Sequence, residues 1–190
     1  MTVDALSVGI IGRNGSGKTT LCAYLESKGF TQLSLSSVVR NHVKRLGLPE
    51  ERDILIAHAN QLKEQHGLDY FAKRSAQVAK ERGLTAVVYD SIRHPLELKY
   101  LQTLGVKMIG IEVPIDIRYK RICNRKNQTD FVSFEQFVAQ DKVETEGKSL
   151  GQDLKETHSL CDAFIVNDSD LESMYKQADT ILETFQSVSV

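Results

Sequence analysis

Short apolar runs alternate with longer amphipathic stretches along the chain. Runs rich in valine and isoleucine occur at residues 5–11, 84–89, 106–113 and 163–166, and a shorter one occurs at 31–35. Their length and composition are typical of buried strands, whereas the stretches between them carry helical periodicity. Strands that alternate with helices form a parallel sheet covered on both faces. The pattern therefore predicts an α/β fold with five strands.

The predicted helices fill the intervals between these strands. They cover residues 18–27, 37–45, 50–65, 70–82, 95–104, 116–125, 134–146 and 171–185. Pro95 and Pro114 lie where a helix can begin, because the first turn does not need the N–H that proline lacks. No repeat, low-complexity segment or linker divides the 190 residues. We therefore expect one domain over residues 1–190.

The composition narrows the class of protein. A chain with 41% hydrophobic and 26% charged residues is neither a disulfide mini-scaffold nor a disordered segment. Cys22, Cys123 and Cys161 are far apart and form no CxxC pair, so we expect reduced thiols in the cytoplasm rather than disulfides or a zinc site. The first apolar run contains Ser7 and follows Asp4, unlike a signal peptide or a membrane span.

The net charge of −1 hides an asymmetry along the chain. Residues 1–126 contain 20 basic and 12 acidic side chains, whereas residues 127–190 contain 4 and 13. The basic excess suggests a polyanionic partner for the first part. The chain lacks a lysine-rich stripe with interleaved aromatic residues, which argues against a nucleic acid.

The clearest chemical signal follows the first predicted strand. Residues 12–19, GRNGSGKT, match G-x-x-x-x-G-K-[ST] in full, with a strand before and a helix after. The glycines let the loop curl so that its N–H groups and the helix dipole face a phosphate chain. We expect Lys18 to bridge the β and γ phosphates of ATP and the Thr19 hydroxyl to bind Mg²⁺. The motif alone does not distinguish kinases, GTPases and motor ATPases.

Two later segments favour a kinase. The strand at 84–89 ends in Asp90-Ser-Ile-Arg93, at the sheet edge where ligands of open α/β sheets bind. We expect Asp90 to hold Mg²⁺ through water or to take a proton from an acceptor, and Arg93 to bind a phosphate. Ser36 opens a helix that carries Arg40 one turn inside, which suits a second phosphate.

Arg118, Arg121 and Arg125 recur at spacings of three and four, and so lie on one face of a predicted helix. A polar loop follows at 127–130. Phosphoryl transfer needs compensation of developing charge and exclusion of water, and a mobile basic flap supplies both. We expect these arginines to act on the phosphoryl group in transfer.

Together, these segments resemble the P-loop nucleoside monophosphate kinase group, which includes adenylate kinase and dephospho-CoA kinase, over nearly the whole chain. The resemblance implies a three-layer αβα fold with five parallel strands in the order 2-3-1-4-5. It further implies an acceptor-binding insertion near residues 36–82 and a lid near 118–135. The turn at Asn167, after the last strand, corresponds to a position near the adenine.

The chain departs from this group at the acceptor side. Where dephospho-CoA kinase has Asp-x-Asp after the second strand, this chain has Ser34, Ser36 and Ser37. There is no glycine in residues 36–40, unlike typical adenylate kinase, and Ser91 replaces the glycine after the strand-end aspartate. The sequence therefore does not identify the acceptor molecule.

The predicted function is transfer of the γ phosphate of Mg-ATP to a nucleoside monophosphate or a similar small phosphorylated acceptor, by a monomer or homodimer. The alternatives are a kinase resembling dephospho-CoA kinase, or an acceptor-independent ATPase or nucleotide switch. The predicted ATP-binding residues are Gly12, Arg13, Asn14, Gly15, Ser16, Gly17, Lys18, Thr19, Thr20 and Asn167. The predicted catalytic residues are Lys18, Asp90, Arg118, Arg121 and Arg125. The predicted acceptor-binding residues are Ser36, Arg40 and Arg93, and the predicted magnesium ligands are Thr19 and Asp90.

Overall fold

The computed structural model describes residues 6–124, 133–145 and 153–187. Within these ranges the strands are β1 (Val8–Gly12), β2 (Thr31–Ser34), β3 (Val87–Asp90), β4 (Lys107–Glu112) and β5 (Ala163–Val166). The helices are α1 (Lys18–Ser27), α2 (Ser36–Arg45), α3 (Arg52–His66), α4 (Tyr70–Glu81), α5 (Pro95–Thr103), α6 (Ile115–Asn124), α7 (Phe134–Thr145), α8 (Leu154–Ser159) and α9 (Leu171–Ser187).

The five strands form one parallel sheet in the order β2-β3-β1-β4-β5. The predicted fold class and strand order are therefore confirmed. Residues of β1 alternate between two apolar clusters, as a strand buried on both faces requires. Val8 and Ile10 pack with α1 and α9 on one face, while Ile11 packs with α2, α4 and α5 on the other. Helices thus cover both faces and leave the carboxyl edge of the sheet for the phosphate loop.

Most predicted elements match the observed ones to within one to three residues. The third strand begins at Val87 rather than at residue 84, because the Leu84 N–H still donates to the Ala79 carbonyl, 3.0 Å away, and so closes α4. Helix α8 was not predicted. It has six residues, too few to show helical periodicity, and begins with the Asp153 side chain accepting from the Glu156 N–H.

No helix in the described ranges is long and apolar enough to span a membrane.

A buried ion pair positions the segment that follows β3. Lys63 Nζ on α3 lies 3.4 Å from Glu97 Oε1 on α5, with only 6% and 1% of the side chains exposed. The other oxygen of Glu97 accepts the N–H groups of Arg93 (3.0 Å) and His94 (3.2 Å). Burial raises the pKa of the Glu97 carboxyl, and the Lys63 ammonium opposes that shift. One carboxylate therefore fixes the start of α5 and the loop after Asp90 together.

We expect Lys63→Met to lower the free energy of unfolding by about 3–5 kcal/mol, because it leaves the Glu97 carboxylate buried without its cation. The double variant Lys63→Met/Glu97→Gln should recover part of that loss. The matched control is Lys99→Met, which removes an ion pair to Glu156 in which both side chains are 52% exposed; it should cost under about 1 kcal/mol. Chemical denaturation measures all three. Equal losses for Lys63→Met and Lys99→Met would contradict the positioning role.

Candidate active site

The loop between β1 and α1 is closed by a lysine. Lys18 Nζ donates to the carbonyl oxygens of Gly12 (2.6 Å) and Arg13 (2.9 Å), and the Ser16 N–H donates to the Arg13 carbonyl (3.1 Å). Because α1 begins at Lys18, the loop also lies at the positive end of a helix dipole. The sequence-predicted phosphate loop therefore has a geometry that receives anions.

Two glycines are required by backbone conformation and by close neighbours. Gly15 has φ 79° and Gly17 has φ 95°, in the left-handed region that favours glycine. A Cβ atom at Gly17 would lie 2.6 Å from Asn167 Nδ2, and one at Gly15 would lie 2.7 Å from the Arg118 carbonyl oxygen. Parts of the chain more than a hundred residues away therefore press directly against the loop.

Asn167 connects the loop to α6. This buried side chain follows β5, and its Nδ2 donates to the Ser16 carbonyl (2.9 Å). Its Oδ1 accepts from Arg121 Nη2 (3.3 Å). The Nη1 group of Arg121 and the Oγ of Ser16 are buried, and neither has a hydrogen-bond partner among the described residues. Buried polar atoms without a partner are uncommon in folded proteins and are found at functional sites.

A cavity of about 510 Å³ lies beside the loop. Its lining combines loop backbone with polar side chains of three other segments: Gly15, Gly17, Thr20, Arg121, Asn167, Ser169, Asp170 and Leu171. Small-molecule sites typically enclose about 300–1,000 Å³. The cavity is therefore large enough for part of a nucleotide. Four predicted ATP-binding residues line it together with the predicted catalytic residue Arg121: Gly15, Gly17, Thr20 and Asn167.

Arg118 does not lie on a solvent-exposed flap. Only 2% of it is exposed, and its guanidinium pairs in two hydrogen bonds with Asp141 of α7, at 2.7 and 2.9 Å. It also donates to the Asn14 carbonyl (3.2 Å), and Arg13 shares the same carboxylate at 3.1 Å. Helical spacing could not reveal this, because the neutralising residue lies 23 positions later. Arg125 lies outside the described residues.

Asp90 lies at the end of β3, on the side of the sheet that faces α1. Its Oδ2 accepts from the Gln32 amide, whereas its Oδ1 is enclosed without a hydrogen-bond partner among the described residues. Burial raises the pKa of the Cys22 thiol to about 12, with the Asp90 carboxylate adding to the shift and the Lys18 ammonium opposing it. Asp90 ends β3 and Lys18 opens the helix after β1, so both lie at the carboxyl edge of the parallel sheet.

The predicted acceptor-binding residues are not gathered around one phosphate. Arg40 is exposed and pairs with Glu50 at 2.9 Å, and the Arg93 side chain is exposed. Ser36 Oγ lies 2.9 Å from Ser34 Oγ, which donates to Ser91 Oγ at 3.0 Å. The sequence does not predict this contact, although three serines in four residues, Ser34, Ser36 and Ser37, mark the end of β2.

Neither Gln32 nor Asp141 was assigned a role from the sequence. A lone glutamine in a strand and a lone aspartate in an amphipathic helix resemble many surface residues, so only the fold shows their partners. Thr19 is an exposed residue in the first turn of α1. Among the described residues, no group of three or more His, Cys, Asp or Glu side chains could hold a metal ion by itself. Thr19 and Asp90 supply oxygen donors, which suits Mg²⁺ that is also bound by substrate phosphates.

The sheet order and the loop define the class of the protein: it has the P-loop kinase fold. A shikimate kinase from Acinetobacter baumannii in complex with shikimate superposes with a TM-score of 0.57 at 15% identity, covering 97% of this chain and 95% of that one. Dephospho-CoA kinase from Campylobacter jejuni superposes with a TM-score of 0.55 at 16% identity, covering 97% and 98%. At these identities the likeness shows the fold.

Sequence comparison places the chain within a family. The model of the AAA domain family AAA_17 matches residues 11–137. A UPF0200 protein of Methanoregula boonei is 30% identical over 181 residues, which is 94% of this chain and 97% of that protein. The chain therefore belongs to the AAA_17 family of AAA domains, among the UPF0200 proteins.

We expect Asn167→Ala to raise the dissociation constant for Mg-ATP about tenfold, because a lost buried hydrogen-bond partner typically costs about 1–3 kcal/mol. The change leaves the Ser16 carbonyl and the Arg121 guanidinium without the amide that joins them. Calorimetric titration with Mg-ATP measures the effect. Asn41→Ala, on the exposed side of α2, is the matched control and should bind as the unchanged chain does. Equal affinities of the unchanged chain and both variants for Mg-ATP would show that Asn167 is not part of the nucleotide site.

Proposed function

We propose that this protein is a phosphotransferase that moves the γ phosphate of Mg-ATP to a nucleoside monophosphate or a similar small phosphorylated acceptor. The observation that carries the proposal is the loop closed by Lys18 beside the cavity that Asn167 and Arg121 line. A loop that only turned the chain would not need a lysine directed at its own carbonyls. Nor would it need, next to it, two buried polar atoms that have no partner among the described residues.

The donor side follows from these contacts. The loop N–H groups and the amino end of α1 bind the phosphate chain, and Lys18 moves from the Gly12 and Arg13 carbonyls to the β and γ phosphates. Arg121, with its unpartnered Nη1, lies in the cavity where the rest of the nucleotide is bound. Thr19 and Asp90 are the proposed magnesium ligands, and the ion neutralises charge on the phosphate oxygens when it is bound.

Transfer needs no covalent enzyme intermediate. An acceptor oxygen bonds to the γ phosphorus, the bond from that phosphorus to the β–γ bridging oxygen breaks, and ADP leaves with the electron pair. Positioning and charge stabilisation supply most of the rate in such reactions. Arg118 contributes indirectly, since its guanidinium is bound by Asp141 and it supports the loop through the Asn14 carbonyl.

The acceptor side lies in the segment 36–82 and the loop after β3. Arg93, whose exposed guanidinium forms no ion pair within the described ranges, is the proposed anchor of the acceptor phosphate. Arg40 joins it when the exposed ion pair with Glu50 opens, and such a pair contributes little to stability. Because the chain resembles dephospho-CoA kinase, the alternative to a nucleoside monophosphate is an acceptor similar to dephospho-CoA.

We expect Lys18→Ala to reduce turnover by about 10²–10³-fold, because it removes a charge that stabilises the transferring phosphoryl group. The measurement is ADP formation from Mg-ATP with a panel of nucleoside monophosphates, deoxynucleotides and dephospho-CoA. Lys80→Ala, on an exposed position of α4, is the control and should leave turnover unchanged.

If Lys18→Ala leaves turnover unchanged, the assignment of the active site to this loop is wrong. If no acceptor raises ADP formation above the background with water, the kinase proposal fails. Slow hydrolysis that ignores every acceptor, combined with binding of a partner that differs between the ATP and ADP forms, would instead favour a nucleotide switch.

A further inference from the structure

The sheet ends at β5, and the outer edge of this strand is apolar. The four residues of β5 include no charged side chain and no proline, although such residues commonly protect the edge strands of soluble proteins. Phe164 is 42% exposed and Val166 is 43% exposed. We call these two residues, with their outward backbone groups, the β5 edge. An apolar strand edge of this kind can pair with another extended chain.

The Gln177 side chain of α9 covers part of the β5 edge. The Val166 N–H donates to Gln177 Oε1 (3.0 Å), and Gln177 Nε2 donates to the Val166 carbonyl (2.9 Å). A neighbouring strand would offer the same acceptor and donor. In contrast, the Asn167 N–H donates inward, to the Glu112 carbonyl of β4. Because backbone groups alternate in direction along a strand, those of Phe164 point outward, as those of Val166 do.

A hollow of about 330 Å³ lies between the β5 edge and α9. Its lining includes Phe164, Gln177, Thr180 and Ile181. The backbone groups of Val166 therefore lie next to a space that an apolar side chain can fill. Peptides that add a strand to a sheet use these two features together, because backbone hydrogen bonds give affinity and pockets for alternate side chains give specificity.

The charge around the β5 edge determines which partner fits. Residues 162–183, which contain β5 and most of α9, include six acidic side chains and one basic side chain, Lys176. One of the six, Asp179, pairs with Lys28, and the other five still outnumber Lys176. A second copy that paired through the same edge would bring the same acidic residues and would be repelled. An extended segment rich in lysine or arginine would be attracted.

We propose that the β5 edge binds an extended basic segment of a partner protein, which adds a sixth strand to the sheet after Gln177 releases Val166. Apolar side chains of the segment face the hollow, and its lysine or arginine side chains face the acidic residues around the edge. This inference goes beyond the proposed phosphotransferase and does not depend on it. None of the residues that form the β5 edge and its hollow line the nucleotide cavity.

A synthetic peptide tests the surface. The probe is a fluorescein-labelled peptide of about ten residues in which lysine and valine alternate, a length typical of strands. The control peptide has the same sequence with N-methyl groups on alternate amides, which removes donors that a strand edge needs. We expect the probe to bind the full chain at least about tenfold more tightly than the control in fluorescence anisotropy, since each lost hydrogen bond costs about 1 kcal/mol. Equal binding of both peptides, or no binding of either, would overturn the proposal.

Two matched variants locate the binding site. Thr180→Lys places a positive charge in the hollow and should weaken binding of the lysine–valine peptide by about tenfold, because it repels the peptide and fills the space. Thr184→Lys places the same charge one turn further along α9, at an exposed position outside the hollow, and should change the affinity by less than about twofold. If both variants weaken binding equally, net charge alone explains the attraction and the β5 edge is not the site.

Gln177→Ala distinguishes a docking surface from an amide that only stabilises the fold. The variant frees the Val166 backbone, so we expect the peptide to bind about threefold to tenfold more tightly, because it no longer displaces a hydrogen-bonded side chain. A purely structural amide predicts an unchanged or weaker affinity, and that result would contradict the proposal.

Hydrogen exchange and sedimentation of the unchanged chain complete the test. The Phe164 and Val166 amides should exchange more slowly when the peptide is bound, and unchanged exchange would place the peptide elsewhere. A chain that forms a dimer, which Thr180→Lys dissociates, and that binds no peptide would assign the β5 edge to a second copy and overturn the proposal.

Discussion

The contact of Lys18 Nζ with the carbonyl oxygens of Gly12 and Arg13 is the constraint on which the site depends. It holds the chain in a tight curve between β1 and α1. The N–H groups of this loop then lie next to the unpaired N–H groups of the first turn of the helix. The same contact places the Lys18 ammonium group against two backbone carbonyl oxygens of the loop. A phosphate chain can therefore replace the carbonyl oxygens at modest cost, because it offers the ammonium a full negative charge.

The loop is supported by residues from distant parts of the chain. Asn167 holds the Ser16 carbonyl, and the Arg118–Asp141 pair holds the Asn14 carbonyl. Part of the basic excess in residues 1–126 is balanced by acidic residues of the last part of the sequence. Arg118 pairs with Asp141, Lys28 with Asp179 and Lys99 with Glu156. Several early basic residues thus serve the fold, whereas Lys18, Arg121 and Arg93 are the ones that we propose for phosphates.

The fold could be predicted because its signals are local. Buried strands such as β1 (Val8–Gly12) and the phosphate loop with its helix α1 are each encoded within a few consecutive residues. The partners of the site residues could not be predicted, because each contact joins segments far apart. Spacing placed Arg118 and Arg121 on one helix face, but only tertiary packing buries the first against Asp141 and directs the second to Asn167. The positive φ of Ser91, 59°, likewise has no signature in the sequence.

We infer that the loop at residues 12–19 binds the phosphates of a nucleotide and that Lys18 changes partners when it does so. A crystal structure with Mg²⁺ and a non-hydrolysable ATP analogue would show both events. We expect the β and γ phosphates on the loop N–H groups, with Lys18 Nζ on their oxygens instead of on the Gly12 and Arg13 carbonyls. An analogue bound elsewhere, or Lys18 still on both carbonyls in the occupied site, would show that the loop does not act in this way.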